Sequence, residues 1–178
     1  MTDLAGTAND ERYLATLGRL MRGALHEIAN PLLALGGSAE LALIELEPGT
    51  KLHGRIETVQ RTGGEIAQIV RALQRFVRLR NEPPRRLSLA QAAEDAVSLV
   101  RLVNPMPDVV VSARLEAQPY VHEAPGRVAA GLVELLIDAV ATAARGDAIE
   151  LVVREEGSDA LVTLAGGREL RLPKAPES

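Results

Sequence analysis

The chain of 178 residues has no cysteine and no tryptophan, a single phenylalanine (Phe76) and two tyrosines (Tyr13 and Tyr120). Without cysteine there is no disulfide, no thiol nucleophile and no thiolate metal site, a composition that suits a reducing cytoplasm. So few aromatic rings leave almost nothing for bases to stack on, which argues against a single-strand nucleic-acid platform. No apolar run approaches the roughly 20 residues of a membrane-spanning helix, and the first residues lack the basic-then-apolar order of a secretion signal. The composition therefore points to a cytosolic protein that engages neither nucleic acid nor membrane.

What the chain does have is aliphatic. Its hydrophobic content is 47%, mostly Leu, Ala and Val, enough for a real core in one ordinary domain or two small ones. The net charge of −4 argues against a general polyanion binder, but the charge is unevenly spread. From Arg61 to Arg86 seven arginines (61, 71, 75, 78, 80, 85 and 86) stand against Glu65 and Glu82 alone, leaving room for one local basic face.

Residues 1–9 are small and polar and are expected to fray; Asn9 or Asp10 is a candidate helix cap. From Leu25 the apolar positions Leu25, Ile28, Leu32, Leu35, Ala39, Ala42 and Leu46 alternate three and four apart, the pattern of a heptad seam. Upstream, Leu14, Leu17, Met21 and Leu25 step by three, four and four, a slip of register just before His26. Pro48 and Gly49 then break the helix. A second seam follows in Leu52, Ile56, Val59, Gly63, Ile66, Val70, Leu73 and Val77, ending near Asn81 before Pro83 and Pro84. Two such helices joined by a short turn predict an antiparallel hairpin over 10–81. Ile69, Phe76 and Leu79 widen its apolar face beyond what one helix covers, so a homodimeric four-helix bundle is expected.

Residues 82–86 read as a stiff Pro-containing linker. Beyond it the periods mix over 87–172. Strands are expected at 87–89, 109–115 and 119–121, helices at 90–103 and 125–144, and a hairpin of 149–154 with 160–164 about Gly157 and Ser158. Residues 173–178 read as a tail. The fold class is α+β: a helical hairpin followed by a small α/β layer.

At about 100° per residue, His26 and Asn30 point about 140° to 180° away from the seam, which leaves both exposed on one face. Glu27 lies beside them, off the seam. Pro31 removes one backbone hydrogen bond, leaving the Glu27 carbonyl without its usual donor. A neutral imidazole is a competent nucleophile near pH 7, and a neighbouring carboxylate that accepts its Nδ1 proton turns the Nε2 lone pair outward. Asn30 is placed to bind a phosphoryl oxygen or to orient an attacking water. This chemistry suits phosphoryl exchange with an aspartate on another protein. The chain offers no intrinsic cofactor or metal site here, so magnesium is expected to come with the partner's acidic centre. Leu33, Gly36 and Gly37 lie partly off the seam, and these small residues with one exposed Leu form a candidate docking face for a partner helix. His53 and His122, at element boundaries, read as ordinary surface residues.

The string His26-Glu27-Ile28-Ala29-Asn30-Pro31-Leu32, with Ala39-Glu40-Leu41 downstream, closely resembles the H-box of HisKA-type sensor histidine kinases over residues 10–81. The resemblance implies that His26 is the phosphoacceptor, Glu27 its acid/base partner and Asn30 a phosphatase-associated position. It implies receiver domains as partners, and a hybrid or sensor kinase as a further one, with the second-helix arginines available to steer an acidic receiver surface.

The second half resembles a degenerate copy of that family's ATP-binding domain. Its magnesium-ligating asparagine falls at Asp138 and the preceding asparagine at Glu134. No Asp accompanies Leu161-Val162-Thr163-Leu164-Ala165-Gly166-Gly167, where the adenine-binding box belongs, and only eleven residues follow. An intact H-box with such a companion resembles the dimeric histidine phosphotransferases of phosphorelays. The expected activity is phosphotransfer, or response-regulator dephosphorylation, without ATP. The alternative is a non-catalytic pseudokinase that binds a kinase or a response regulator.

Overall fold

The computed structural model describes the backbone of residues 4–103, 108–164 and 167–176, and side chains within those spans from residue 17 onward except that of Arg19. Leu14 of the upstream seam has no described side chain, and Gly166 lies outside the described residues. Among the described residues four helices, a two-stranded sheet and a four-stranded mixed sheet give the chain its α+β class. They fall into two compact units, Met1–Val77 and Arg78–Ser178.

The first unit is the hairpin. Helix α1 spans Leu4–Glu45 and α2 spans Lys51–Leu79. The helical backbone begins at Leu4, so Asn9 and Asp10 lie inside it and not at its start. Ala5 and Ala8 favour helix, and no proline interrupts the first turns. Pro31 is accommodated within α1. Gly49, at φ +83°, makes the turn that ends the first arm. Thr50 then caps α2, its hydroxyl accepting from the His53 N–H at 3.2 Å.

The hairpin pairs face to face in a register fixed by two contacts. The Gln74 side-chain amide donates to the Leu25 carbonyl at 3.0 Å. A Cβ built on Gly63 would lie 3.6 Å from the Leu35 side chain. The heptad seam read along α1 separates into two stripes: Leu25 and Ala39 are buried within the hairpin, at 4% and 5% exposure, whereas Ile28 and Leu35 are both 45% exposed. One antiparallel neighbour covers only part of an apolar face this wide.

In the second unit, β1 (Arg85–Ser88) pairs antiparallel with β3 (Tyr120–Glu123). Arg85 and Arg86 therefore belong to a strand and not to the linker. Their backbones complete the ladder opposite Glu123 and His122, and the Arg86 guanidinium lies 4.1 Å over the Tyr120 ring. Leu89 opens helix α3 (Leu89–Val103), capped by the Ser88 hydroxyl on the Gln91 N–H at 3.3 Å. Helix α4 (Pro125–Thr142) starts on Pro125, where the missing N–H has no intrahelical role.

A four-stranded sheet runs in the order β2 (Val110–Leu115), β4 (Ala148–Glu156), β5 (Asp159–Leu164), β6 (Glu169–Pro173). Strands β2 and β4 are parallel and the other pairs antiparallel. The core forms where one face of this sheet meets α3 and α4. Val128, Leu132, Leu136 and Val140 recur every fourth residue along α4, while Ile149, Leu151 and Val153 alternate along β4. On the opposite face the strands carry ion pairs such as Arg114 with Glu150 and Arg171 with Glu156. Leu161, aligned between Arg154 and Arg171, is nevertheless fully buried there. Strand β6 was not legible as a strand, and Pro173 and Lys174 are not a free tail. Pro173 closes β6, the Lys174 N–H donates to the Ser158 carbonyl and the Ala175 N–H to the Tyr120 carbonyl.

Candidate functional site

The imidazole of His26 sits on α1 one residue after Leu25, whose side chain is buried and whose carbonyl is held by Gln74. Leu25 points into the hairpin, and at about 100° per residue His26 must turn out to its flank. His26, Glu27 and Asn30 are all exposed. His26 and Asn30, four apart, share that flank, and Glu27 lies a further 100° or so around the helix. Among the described residues these three side chains make no hydrogen bond with one another or with any other group, so all three present open polar atoms to an incoming molecule. Pro31 follows within the same turn and deprives the Glu27 carbonyl of its helical donor.

Below His26 on the same flank lie Leu33, exposed at 67%, and Gly37, exposed with nothing within 4 Å of where a Cβ would stand. Gly36 is half-buried, turned partly toward α2. Across the hairpin, Gly64 on α2 is likewise open. The flank is thus low where the two glycines lie and raised at Leu33, a shape that admits a helix or loop of another molecule. Gln74 was missed by the sequence reading. Its only signal was its place within the second seam helix, since the partner carbonyl belongs to a residue 49 positions earlier.

In the second unit, Asp138 projects from α4 into a cleft of about 450 Å³ bordered by Thr142, Asp147, Ile149, Glu150 and Arg168. Its carboxylate is engaged by the guanidinium of Arg168, which lies between β5 and β6. Asp147 uses one carboxylate oxygen to accept the Ala144 N–H at 2.7 Å, closing the turn after α4. Glu134 is exposed on α4. Among the described residues no group of three His, Asp or Glu side chains is arranged to hold a metal ion. His53 faces Glu57 at 3.6 Å and His122 is an exposed strand residue. No described helix is long and apolar enough to cross a membrane.

No family model and no curated protein matches the sequence. Solved structures of similar arrangement include full-length ShkA in complex with AMPPNP, at 15% identity and TM-score 0.48, covering 82% of this chain and 32% of ShkA. A histidine kinase from Burkholderia phymatum STM815 aligns at 16% identity and TM-score 0.43, over 79% of this chain and 65% of its own. The histidine kinase ThkA, solved in complex with the response regulator protein TrrA, aligns at 16% identity and TM-score 0.42 over 92% and 50%. The chain spans about a third of ShkA and half of ThkA. At these identities the likeness is one of fold alone.

Proposed function

We propose that this chain exchanges a phosphoryl group between His26 and a receiver-domain aspartate, as a histidine phosphotransferase or response-regulator phosphatase of a two-component phosphorelay. The observation that carries the proposal is an exposed, unpartnered imidazole with Glu27 and Asn30 within one helical turn, on the flank of a helical hairpin, in an H-box sequence. His26 Nε2 attacks the phosphorus of the acyl phosphate. The N–P bond forms as the P–O bond breaks, its electron pair leaves on the aspartate, and Glu27 takes the Nδ1 proton. Run in reverse, the same path loads a receiver. Asn30 orients a water for the hydrolytic branch. Leu33, Gly36 and Gly37 form the ledge on which the receiver seats, and magnesium arrives in the receiver's own acidic centre.

The phosphate comes from another protein and not from ATP held by the second unit. Arg168 already neutralises Asp138, the position that the H-box family assigns to magnesium. The cleft's remaining carboxylates are also engaged, Glu150 by Arg114 and Asp147 by the Ala144 N–H. This donor set does not suit a magnesium nucleotide.

The homodimer is supported by the second apolar stripe. Ile28 and Leu35 on α1, with Val59 and Ile66 on α2, are 40–45% exposed. They lie on the flank of the hairpin opposite His26, so a second copy buries them without covering the histidine.

The test is incubation of the full chain with purified receiver domains carrying radiolabelled aspartyl phosphate. Acid-labile label on the wild type and none on His26→Gln is the expected result for transfer. For phosphatase action the expected result is release of free phosphate that Asn30→Ala slows. Receivers that keep their label in the presence of the wild-type chain would overturn both.

A further inference from the structure

The flank that bears His26 also carries unpaired arginines. Between Glu65 and Glu82 the chain carries four arginines and no carboxylate, although its net charge is −4. Two of them, Arg71 and Arg75, lie in the first unit and are exposed. With Gln74 opposite Leu25 and Gly63 opposite Leu35, His26 faces residues 72–73 of α2. Arg71 and Arg75 therefore straddle the histidine's level, each within about 5 Å of it along the hairpin axis at about 1.5 Å per residue.

They also lie on its side. On α1, His26 is turned about 100° from the buried Leu25. On α2, Arg71 and Arg75 are turned about 100° and 140° from the buried Val70. Because the helices run antiparallel, the same sense of rotation on both brings these residues to one flank of the hairpin. Arg22, four residues before His26 and exposed, joins them from α1 one turn away. Among the described residues none of the three arginines has an ion-pair partner, whereas Arg61, ten residues and about 15 Å along α2 from Arg71, is paired with Glu65 at 2.9 Å.

We infer that Arg22, Arg71 and Arg75 form a cationic collar around His26 that receives the carboxylate-rich phosphorylation face of the protein with which His26 exchanges phosphate. This rests on the phosphotransfer reading and adds what selects and orients the partner. A donor holding an aspartyl phosphate among metal-binding carboxylates presents concentrated negative charge at the point where it must approach the imidazole. Three unpaired guanidiniums at that point accelerate the encounter and fix its register. These guanidiniums offer forked donors that match carboxylates. Duplex DNA is a rival polyanion, but a flank whose described residues in the first unit offer three such arginines and no aromatic ring beside His26 suits a compact acidic protein face better.

The experiment measures the second-order rate of phosphoryl transfer, and separately equilibrium binding, between the full chain and a purified receiver domain across a salt series. The variant R71E/R75E keeps good helix formers at exposed positions. It is expected to lower the low-salt association rate by about tenfold or more. The deficit is expected to shrink toward 1 M salt, where charges are screened within about 3 Å. Labelling of His26 by the small donor phosphoramidate, which needs no receiver docking, is expected to stay within twofold of wild type. Arg61→Glu changes the charge of the same helix about 15 Å further along its axis, three turns from the level of His26, and is expected to leave association unchanged. Equal association rates for wild type and R71E/R75E at low salt would overturn the collar while leaving phosphotransfer intact. Salt-steep, arginine-dependent binding without any transfer would support the collar and overturn the phosphotransfer reading. Tighter binding of a DNA duplex than of the receiver, lost in R71E/R75E, would assign the arginines to nucleic acid and overturn the collar.

Discussion

Gln74 is a half-buried amide whose hydrogen bond ties the backbone immediately before His26 to the opposite helix. The Leu25 carbonyl has a second lone pair free beside its helical bond, so Gln74 adds a constraint without disturbing α1. Gln74→Leu keeps the volume and removes the bond. It is expected to destabilise the hairpin by about 1 kcal/mol in denaturant unfolding. Transfer at saturating receiver is expected to fall severalfold while His26 labelling by a small donor falls less, because only the protein partner needs the helix held at one azimuth. Gln74→Glu would place a carboxylate against a carbonyl and is expected to be worse than Leu, a comparison that separates lost packing from lost hydrogen bonding. The placement of His26, Glu27, Asn30 and Pro31 was legible at this scale because they lie within six consecutive residues, and one helix is enough to place them. Gln74 was not, since its role depends on a register that only the paired helices define.

At the scale of elements, the first turn of α4 shows how closely the second unit is packed. A Cβ on Gly126 would lie 2.6 Å from the Arg80 Cα and 2.7 Å from the Leu79 carbonyl oxygen, backbone atoms that cannot swing aside. Gly126→Ala is therefore expected to destabilise this unit by about 1–3 kcal/mol, as overpacking does. A thermal melt of the full chain checks it. Gly131→Ala serves as the comparison, since its added methyl would meet only the flexible Leu170 side chain at 3.5 Å. The helices themselves were readable from three-and-four spacing, as with Val128, Leu132, Leu136 and Val140. Strand β6 was not, because Arg168-Glu169-Leu170-Arg171-Leu172-Pro173 has too few apolar residues to announce a strand. Its pairing with β5, and the ion pairs of Arg171 with Asp159 and Glu156, come from residues brought in by the fold. The Asp159 hydrogen bond, helped by Glu169 and Glu156, raises the pKa of the Arg171 guanidinium and keeps it charged.

For the whole molecule, the central question is what covers the stripe of Ile28, Leu35, Val59 and Ile66. If a second copy does, a charge placed in the stripe separates the copies without touching the flank that bears His26. Ile28→Glu combined with Ile66→Glu is expected to shift the chain from dimer to monomer in sedimentation velocity. Labelling of His26 by phosphoramidate should persist, since the histidine lies on the opposite flank. A wild-type chain that sediments as a monomer at micromolar concentration would refute the dimer. One that stays dimeric as the double variant would move the interface elsewhere.

The sequence by itself determined the two helices, their antiparallel order, the exposure of His26 and the identity of its immediate neighbours, because each depends on periodicity within one segment. It also marked the second half as an α/β layer with a shifted donor set at Asp138. Tertiary structure alone decided how the single apolar seam divides between a partner helix and an open stripe, since the division depends on the azimuth at which α2 packs. It alone paired Asp138 with Arg168, 30 residues on. It alone brought Arg71 and Arg75 to the level of His26, because residues 45 or more positions apart become neighbours only when the hairpin closes in one register.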